Sequence, residues 1–311
     1  MATKDLQRKA GELRRLINLH NYRYHVLDDP LISDSKFDQL LQELKQIEQE
    51  HPEIVTADSP TQRVGGQISE RLVRVPHPKP ILSLGNAFKV DEVRAWYERI
   101  VRLDPRVRSA AFVVEPKLDG LTVVLHYEQG LFKFGATRGD GENGEEITHN
   151  LRTVRTLPLR IPLEPSGGRA PARLVVRGEA VIFKADFERM NQLVEAEGGE
   201  RYVNPRNTAA GSLRQLDPAL TAARPIRLFC YSIVDSSGPP PRRQWEALAL
   251  LRALGFPVEE NVQLCHDIDE TISVLEQMAG QRASFPYEMD GMVIKLDDLR
   301  QIEENLRELF R

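Results

Sequence analysis

A lysine can act as a nucleophile only when it is neutral, and one lysine in this sequence sits where that chemistry is worth considering. The apolar run 111–114 (AFVV) leads into Glu115-Pro116-Lys117-Leu118-Asp119-Gly120. Lys117 thus lies at a strand end, between carboxylates, with a glycine turn after it. Lysine has a reference pKa of about 10.4, so holding it neutral at pH 7 costs about 4.6 kcal/mol. Partial burial, a nearby cation or a bound metal ion lowers that cost. Flanking carboxylates act in the opposite sense, so this chemistry requires a second positive group. Lys295 is the candidate, in 289–295 (MDGMVIK), on another strand entered through an Asp-Gly turn. Singly the two motifs say little, since Lys-x-Asp-Gly is ordinarily a salt-bridged surface turn and a strand lysine is ordinarily solvated. Their order, with 137–141 (TRGDG) and 177–179 (RGE) between them, is much harder to obtain by chance.

A different chemistry is suggested by 139–144 (GDGENG), which matches the GxGxxG pattern of dinucleotide-binding oxidoreductases. In that fold the loop opens a parallel βαβ unit and offers bare amides to a pyrophosphate. Here two carboxylates occupy the loop and would repel phosphate. The strand before it pairs in a hairpin, so the sequence favours a turn following a functional arginine, Arg138. Neither a GxxxxGK[ST] loop nor an HExxH or GxSxG motif occurs.

These residues must be positioned by the surrounding elements. Leu6, Leu13, Leu16, Ile17, Tyr24 and Leu27 keep a helical period, as do Phe37, Leu40, Leu41, Leu44 and Ile47, which predicts two helices within 5–50. Asp29-Pro30 separates them, Ser33 or Asp34 caps the second, and His51-Pro52 ends it. The stretch 53–67, rich in turn formers and containing Gly65-Gly66, reads as a linker. From about residue 70 short β-rich runs dominate. Runs 121–127 and 131–137, joined by Glu128-Gln129-Gly130, predict an antiparallel hairpin. Strands are expected at 173–183 and 226–234, and helices near 185–196, 243–254 and 268–279. The fold class is α+β, a small helical amino-terminal subdomain (1–66) before a mainly antiparallel core (67–311).

Composition narrows the setting. The 311 residues suffice for a sizeable core plus a satellite, and 41% hydrophobic with 28% charged residues is ordinary for a globular protein. No apolar run is long enough to span a membrane, and the charged start (MATKDLQRKAGEL) has no signal-peptide character. A cytoplasmic protein that does not engage membranes is the expectation. Cys230 and Cys265 lack the clustering of a disulfide framework or zinc site and read as buried thiols. A net charge of -4 argues against strong nucleic-acid binding by this chain alone. Arg71, Arg74 and Lys79, and likewise Arg99, Arg102, Arg106 and Arg108, form local basic groups that read as solvated surface.

The ordered series of motifs resembles the covalent nucleotidyltransferases, and in detail the NAD-dependent DNA ligases of the bacterial type. The resemblance covers nearly the whole chain. It includes 24–26 (YHV), 34–38 (DSKFD), 58–65 (DSPTQRVG), 83–86 (SLGN) and the highly specific 204–216 (NPRNTAAGSLRQL). It implies a nucleotidyltransferase core in which Lys117 attacks the NAD phosphate next to the adenosine, forming a lysine-AMP phosphoramide and expelling nicotinamide mononucleotide. It puts Glu115 and Lys295 near the adenine, stacks Tyr231 on it, and gives the ribose to Arg138 and Glu179. Ser83, Leu84, Arg206 and Arg214 belong to its nucleotide-binding set. Asp119 and Asp290 are implied to orient Lys117 or hold Mg2+, with Asp119 in the catalytic set and Asp290 as the metal ligand. A carboxylate accepting sugar hydroxyls, an aromatic face on a base and a cation at a transferring phosphoryl group all suit that chemistry.

The helical subdomain is implied to bind the nicotinamide mononucleotide half. Asp34 and Asp38 are four residues apart and share one helix face, where carboxylates meet the cationic nicotinamide ring. Tyr24 offers an aromatic face and His25 a hydrogen bond. Phe37 stands where the family usually has tyrosine, which keeps stacking and loses a hydroxyl, and Pro116 stands where an aliphatic residue is usual. Beyond Lys295 the family continues to a further lysine motif, an OB-fold, a four-cysteine zinc module, helix-hairpin-helix repeats and a BRCT domain, so the expectation is a self-adenylating monomer that binds DNA weakly by itself and seals nicked double-stranded DNA only within the full ligase. Residues 299–310 keep a helical apolar spacing through Leu299, Ile302, Leu306, Leu309 and Phe310. Two alternatives explain the same residues: a non-catalytic nucleotide-binding or interaction fragment, and a Rossmann-type dehydrogenase.

Overall fold

In the computed structural model, residues 3–27, 29–63, 71–82, 85–164 and 168–302 are described, without the side chains of Thr3, Lys4, His25 and Asp34. Two helices come first, α1 (Thr3–His25) and α2 (Asp34–Glu50), and Ser33 caps the second by accepting from the Lys36 amide. Their apolar stripes meet through Ala10, Leu13, Ile17 and Leu44, with Ile54 closing the base. Phe37 packs against this cluster, because the period that makes α2 amphipathic turns it inward.

The stretch expected to be a linker is folded as far as Arg63. Its polar groups find buried partners, which outweighs its turn-forming composition. Glu48, itself buried, accepts from the hydroxyls of Ser59 (2.7 Å) and Thr61, and Arg160 Nε donates to Asp58 Oδ2 at 2.6 Å. The Arg63 guanidinium donates to the carbonyls of Arg152 (3.2 Å), Val154 (2.9 Å) and Leu157 (3.0 Å), and its burial lowers its pKa to about 10. With Asn21 Nδ2 donating to the Arg155 carbonyl at 2.7 Å, these bonds dock the helical pair on the core.

The core then runs β1 (Arg74–Pro76), α3 (Val90–Leu103), β2 (Phe112–Leu118), β3 (Leu121–Glu128), β4 (Leu131–Thr137), β5 (Asn143–Glu145), α4 (Thr148–Thr153), β6 (Arg173–Ile182), α5 (Lys184–Ala196), α6 (Pro205–Leu213), α7 (Pro218–Ala222), β7 (Ile226–Ser236), α8 (Gln244–Ala253), β8 (Gln263–Cys265), α9 (Ile268–Gly280) and β9 (Met289–Leu296). The strands make an antiparallel sheet of order β4-β3-β6-β7, another of order β8-β2-β9, and a β1-β5 pair. The β3–β4 hairpin turns through Gln129 and Gly130, both at positive φ (49° and 74°), as a two-residue primed turn requires. The larger core packs Val123, Leu125, Val176 and Leu228 of the four-stranded sheet with Leu151, Leu213, Leu248 and Leu251 of the helices. A second cluster packs Phe112 and Val114 against Val101 and Met278. Both cysteines are buried free thiols. Arg99, Arg102, Arg106 and Arg108 are exposed on and just beyond α3. No helix among the described residues is long and apolar enough to cross a membrane.

The GDGENG loop belongs to no βαβ unit. β4 pairs antiparallel with β3, and Asp140 turns the chain by accepting from the amides of Glu142 (3.0 Å) and Asn143 (2.7 Å). Gly139, at φ 56°, has no room for a side chain, since a Cβ there would lie 1.9 Å from the Asn143 carbonyl oxygen. The Asp140 carboxylate builds a turn, and the dehydrogenase alternative is excluded by topology.

Candidate active site

The two larger sheets meet along a cleft of about 320 Å³. Glu115, Lys117 and Asp119 line it from β2 and its end, Thr122 from β3, Arg177 and Glu179 from β6, Tyr231 from β7, Lys295 from β9, with Arg138 and Arg206. Strand alternation explains the first pair: residues two apart face the same way, so the strand that presents Glu115 presents Lys117 as well.

Lys117 owes its setting to an irregularity in the pairing. Between Pro116 and Leu118 the register on β9 jumps from Met292 to Met289, so β9 holds one extra residue there. Gly291, at φ 126°, permits the bulge, and Asp290 beside it forms an ion pair with Lys117 Nζ at the cleft's rim. Lys117 is one-third exposed, with 34% of its side chain open. The lysine's hydrogen bond and charge hold the Asp290 carboxyl below the usual carboxylate range. The resemblance put Asp119 in the catalytic set beside Lys117 and gave Asp290 to the metal; Asp290 makes the contact with Lys117, while Asp119 pairs with Arg206 Nη1 at 3.2 Å. Gly120 follows because its strand runs against β6, where a Cβ would lie 2.2 Å from the Ala180 carbonyl oxygen.

At the inner end Lys295 lies across the strand pair from Val113, diagonal to Glu115, and its Nζ meets Glu115 Oε1 at 2.8 Å. Lys295 is therefore neutralised by a buried carboxylate and does not stand as the bare second cation that the sequence argument called for. Its Nζ also lies 5.1 Å from the centre of the Tyr231 ring. Tyr231 is the extra residue of a bulge in β7, where Arg177 and Gly178 pair with Ser232 and Cys230. Its hydroxyl accepts from Arg177 Nε (3.0 Å) and donates to Glu179 Oε2 (3.2 Å). Thr122, opposite Glu179 across the β3–β6 ladder, donates to the same oxygen at 3.0 Å. Burial raises the Glu179 carboxyl to about 7, against the hydrogen bonds from Thr122 and Tyr231, which lower it. Burial also raises the Tyr231 phenol.

The 204–216 run now has a structural reading. Asn204 caps α6 by accepting from the Asn207 amide (2.7 Å), Pro205 opens the helix, and Arg206 projects from its first turn to Asp119. Arg214, past the helix end, pairs with Glu145 at 2.7 Å and is not among the cleft residues. Ser83 and Leu84 lie outside the described residues, although Leu82 and Asn86 on either side line the cleft. Sequence reasoning missed Thr122 and Gln244, and named Arg177 within the 177–179 motif without giving it a site role. Thr122 and Arg177 are strand partners of Glu179 and of the Tyr231 bulge; Gln244 approaches from α8. Tyr24, Phe37 and Asp38 do not line the cleft: Tyr24 and Asp38 are exposed on the helical pair and Phe37 is packed within it. The side chains of His25 and Asp34 are outside the description.

Comparison with known proteins settles the lineage. The family model of the NAD-dependent DNA ligase adenylation domain matches residues 69–306. The chain belongs to this family. A second model, the DNA ligase-like N-terminal NAD+-binding domain, matches residues 3–65. The chain is 48% identical over 307 residues to a DNA ligase of Chloroflexus aggregans, with 96% of this chain and 45% of that protein covered. A DNA ligase of a Roseiflexus species is 48% identical over 97% of this chain and 43% of its own length, and one of Desulforamulus reducens 49% identical over 97% and 44%. The chain thus spans less than half the length of these relatives. Among solved structures, the ligase domain of M. tuberculosis LigD matches at a TM-score of 0.36 and 14% identity, over 60% of this chain and 49% of that chain, too loosely to carry an argument. The family is that of a catalytic nucleotidyl-transfer domain, so the adenylation-domain reading stands over that of a non-catalytic fragment.

Proposed function

We propose that this chain binds NAD in the cleft and transfers its adenylyl group to Lys117. The carrying observation is the placement of Lys117 at the rim of a cleft whose inner end brings together a carboxylate, a cation and an aromatic ring, groups suited to a purine. In the transfer, the Nζ lone pair forms a bond to the phosphorus attached to adenosine. The bond from that phosphorus to the bridging oxygen breaks, nicotinamide mononucleotide leaves with its own phosphate, and the amine proton passes to solvent. Nζ must part from Asp290 first, since a carboxylate beside it favours the ammonium form.

Glu115 and Lys295 face the adenine edge, Tyr231 its plane, and Glu179 with Arg138 the ribose hydroxyls; Arg206 brings positive charge, shared with Asp119, to the phosphates. Mg2+ typically binds through one or two carboxylates and completes its shell with phosphate oxygens and water. Asp290 fits that donor set, and no cluster of three or more potential ligands occurs among the described residues. An ion held there would neutralise charge on the transferring phosphate. Tyr24, His25, Asp34, Phe37 and Asp38 take the nicotinamide half. The three whose side chains are described lie outside the cleft lining, so that half of the dinucleotide would extend beyond the cleft toward α1 and α2. In the full ligase the lysine-AMP serves to seal nicked double-stranded DNA in the cytoplasm; the chain itself acts as a monomer with weak affinity for DNA.

Intact-mass measurement after incubation with NAD and magnesium tests this reading. One AMP adduct with release of nicotinamide mononucleotide is expected. Absence of an adduct from NAD, or an adduct formed equally well by Lys117→Ala, would overturn it.

A further inference from the structure

We propose that Gln244, which does not line the cleft, determines the preference for adenine by fixing the Glu115 carboxylate and the Tyr231 backbone from behind. This inference rests on the nucleotide reading of the cleft and adds a residue to it. Gln244 is the first residue of α8 and is 2% exposed. Its Nε2 donates to Glu115 Oε1 and to the Tyr231 carbonyl oxygen, each at 2.8 Å. Lys295 Nζ serves the same two acceptors, at 2.8 and 3.4 Å. Two acceptors around one nitrogen fix which end of the amide points toward the cleft.

The consequence lies in which carboxylate oxygen remains. Oε1 takes both donors, and Oε2 receives no hydrogen bond from the described residues. An ionised carboxylate only accepts. Oε2 therefore selects a base edge that donates, as the exocyclic amine of adenine does, and repels one bearing a carbonyl at that position, as in hypoxanthine. Without Gln244 only Lys295 Nζ, with a longer 3.4 Å bond to the Tyr231 carbonyl, would hold the two acceptors, so the carboxylate could rotate more freely and donor and acceptor edges would be judged less sharply.

The anchoring of Gln244 suits this role. Its amide donates to the Asp297 carbonyl at 2.7 Å, and Asp297 Oδ1 accepts from the Trp245 amide at 2.9 Å, which caps α8. Asp297 lies two residues beyond Lys295, so the α8 terminus and the strand bearing Lys295 are tied together. Gln244 is thus a positioning residue, held by backbone as well as side chain, and its effect on the base passes through Glu115.

The test is titration of the 311-residue chain with NAD and with nicotinamide hypoxanthine dinucleotide, alongside adduct formation at saturating NAD. The unsubstituted protein is expected to prefer NAD, and Gln244→Leu to reduce that preference by about 10-fold or more, because a site built around a hydrogen bond discriminates strongly against the analogue lacking it. The half-saturating NAD concentration is expected to rise by a larger factor than the saturated adduct rate falls, since the alteration lies in ground-state recognition of the base. A merely structural loss would weaken both dinucleotides alike. Gln244→Asn, which withdraws the amide by one methylene, serves where the leucine variant does not fold, and is expected to show the same loss in smaller measure. An unchanged preference in a folded variant overturns the role of Gln244 alone; failure of the unsubstituted protein to bind NAD overturns the nucleotide reading and this inference with it.

Discussion

The cleft and the amino-terminal helical pair are both assigned to one dinucleotide, yet they are prepared for it in opposite ways. In the cleft, Glu115, Lys295, Tyr231, Glu179, Thr122, Arg177 and Gln244 already hold one another through cross-strand bonds. On the helical pair, Tyr24 and Asp38 stand exposed and Phe37 is tucked between α1 and α2, while Arg63, Asp58 and Asn21 fasten the pair to the core. The difference teaches that, on the proposed reading, the adenosine half meets a site built by sheet register, whereas the nicotinamide half is assigned to residues that do not line the cleft. Preorganised donors and acceptors need no rearrangement when the base arrives.

The comparison is broken most severely at the buried pair. Glu115→Ala leaves the Lys295 ammonium without its carboxylate, and uncovering one member of a buried pair costs about 3 kcal/mol or more. That cost falls on folding; the base separately loses a hydrogen bond to a charged group, about 1.5–3 kcal/mol, so NAD affinity measured by calorimetry is expected to fall on the order of 10- to 100-fold, about 1.4 kcal/mol being a factor of ten. A fall of only a few-fold would mean that the inner end of the cleft does not recognise the base.

A smaller and more selective loss is expected at the helical pair. Asp38→Asn removes an exposed charge from the surface assigned to the cationic nicotinamide ring, so the NAD concentration needed for half-maximal adduct formation is expected to rise by roughly 10-fold at low salt and less at high salt. Binding of AMP, which has no nicotinamide half, is expected to be unchanged. Equal losses for both ligands would erase the division between the two regions.

The least disruptive probe is pH. Burial holds the Glu179 carboxyl protonated up to about 7, above its ordinary 4.5. Ribose hydroxyls donate, so they favour the carboxylate, and NAD affinity is expected to increase a few-fold as pH rises through about 7. The same shift has the opposite sign for folding: an unfolded carboxyl ionises near 4.5 and the folded one near 7, so this group lowers stability increasingly across that interval and by a constant amount above it. Glu179→Gln is expected to flatten the affinity profile, as read from titrations between pH 6 and 8; a variant whose profile is unchanged would assign the titration to another group.

The sequence disclosed these regions unequally. Periodic apolar spacing located α1 and α2, and two β-rich runs joined by Glu128-Gln129-Gly130 located the β3–β4 hairpin, because both patterns are local; α5, α8 and α9 also fall where helices were expected. The motif lysine, the acid before it and Arg138 were legible for the same reason. Gln244 was not, since its bond to Glu115 spans 129 residues and no local pattern marks it. Nor were the bulges at Asp290-Gly291 and Tyr231, which depend on strand register; the first of them places Asp290 beside Lys117. The turn-rich residues 53–63 misled in the other direction: composition reads them as a linker, while the buried Glu48 and the carbonyls of 152–157 recruit them into packed structure.

The central claim concerns a single bond, from Lys117 Nζ to the phosphorus of AMP. Peptide mass mapping of the protein after incubation with NAD and magnesium tests it most directly. AMP is expected on the peptide containing Lys117 and on no other; AMP on a different residue, or an unmodified Lys117 peptide after complete consumption of NAD, would contradict it.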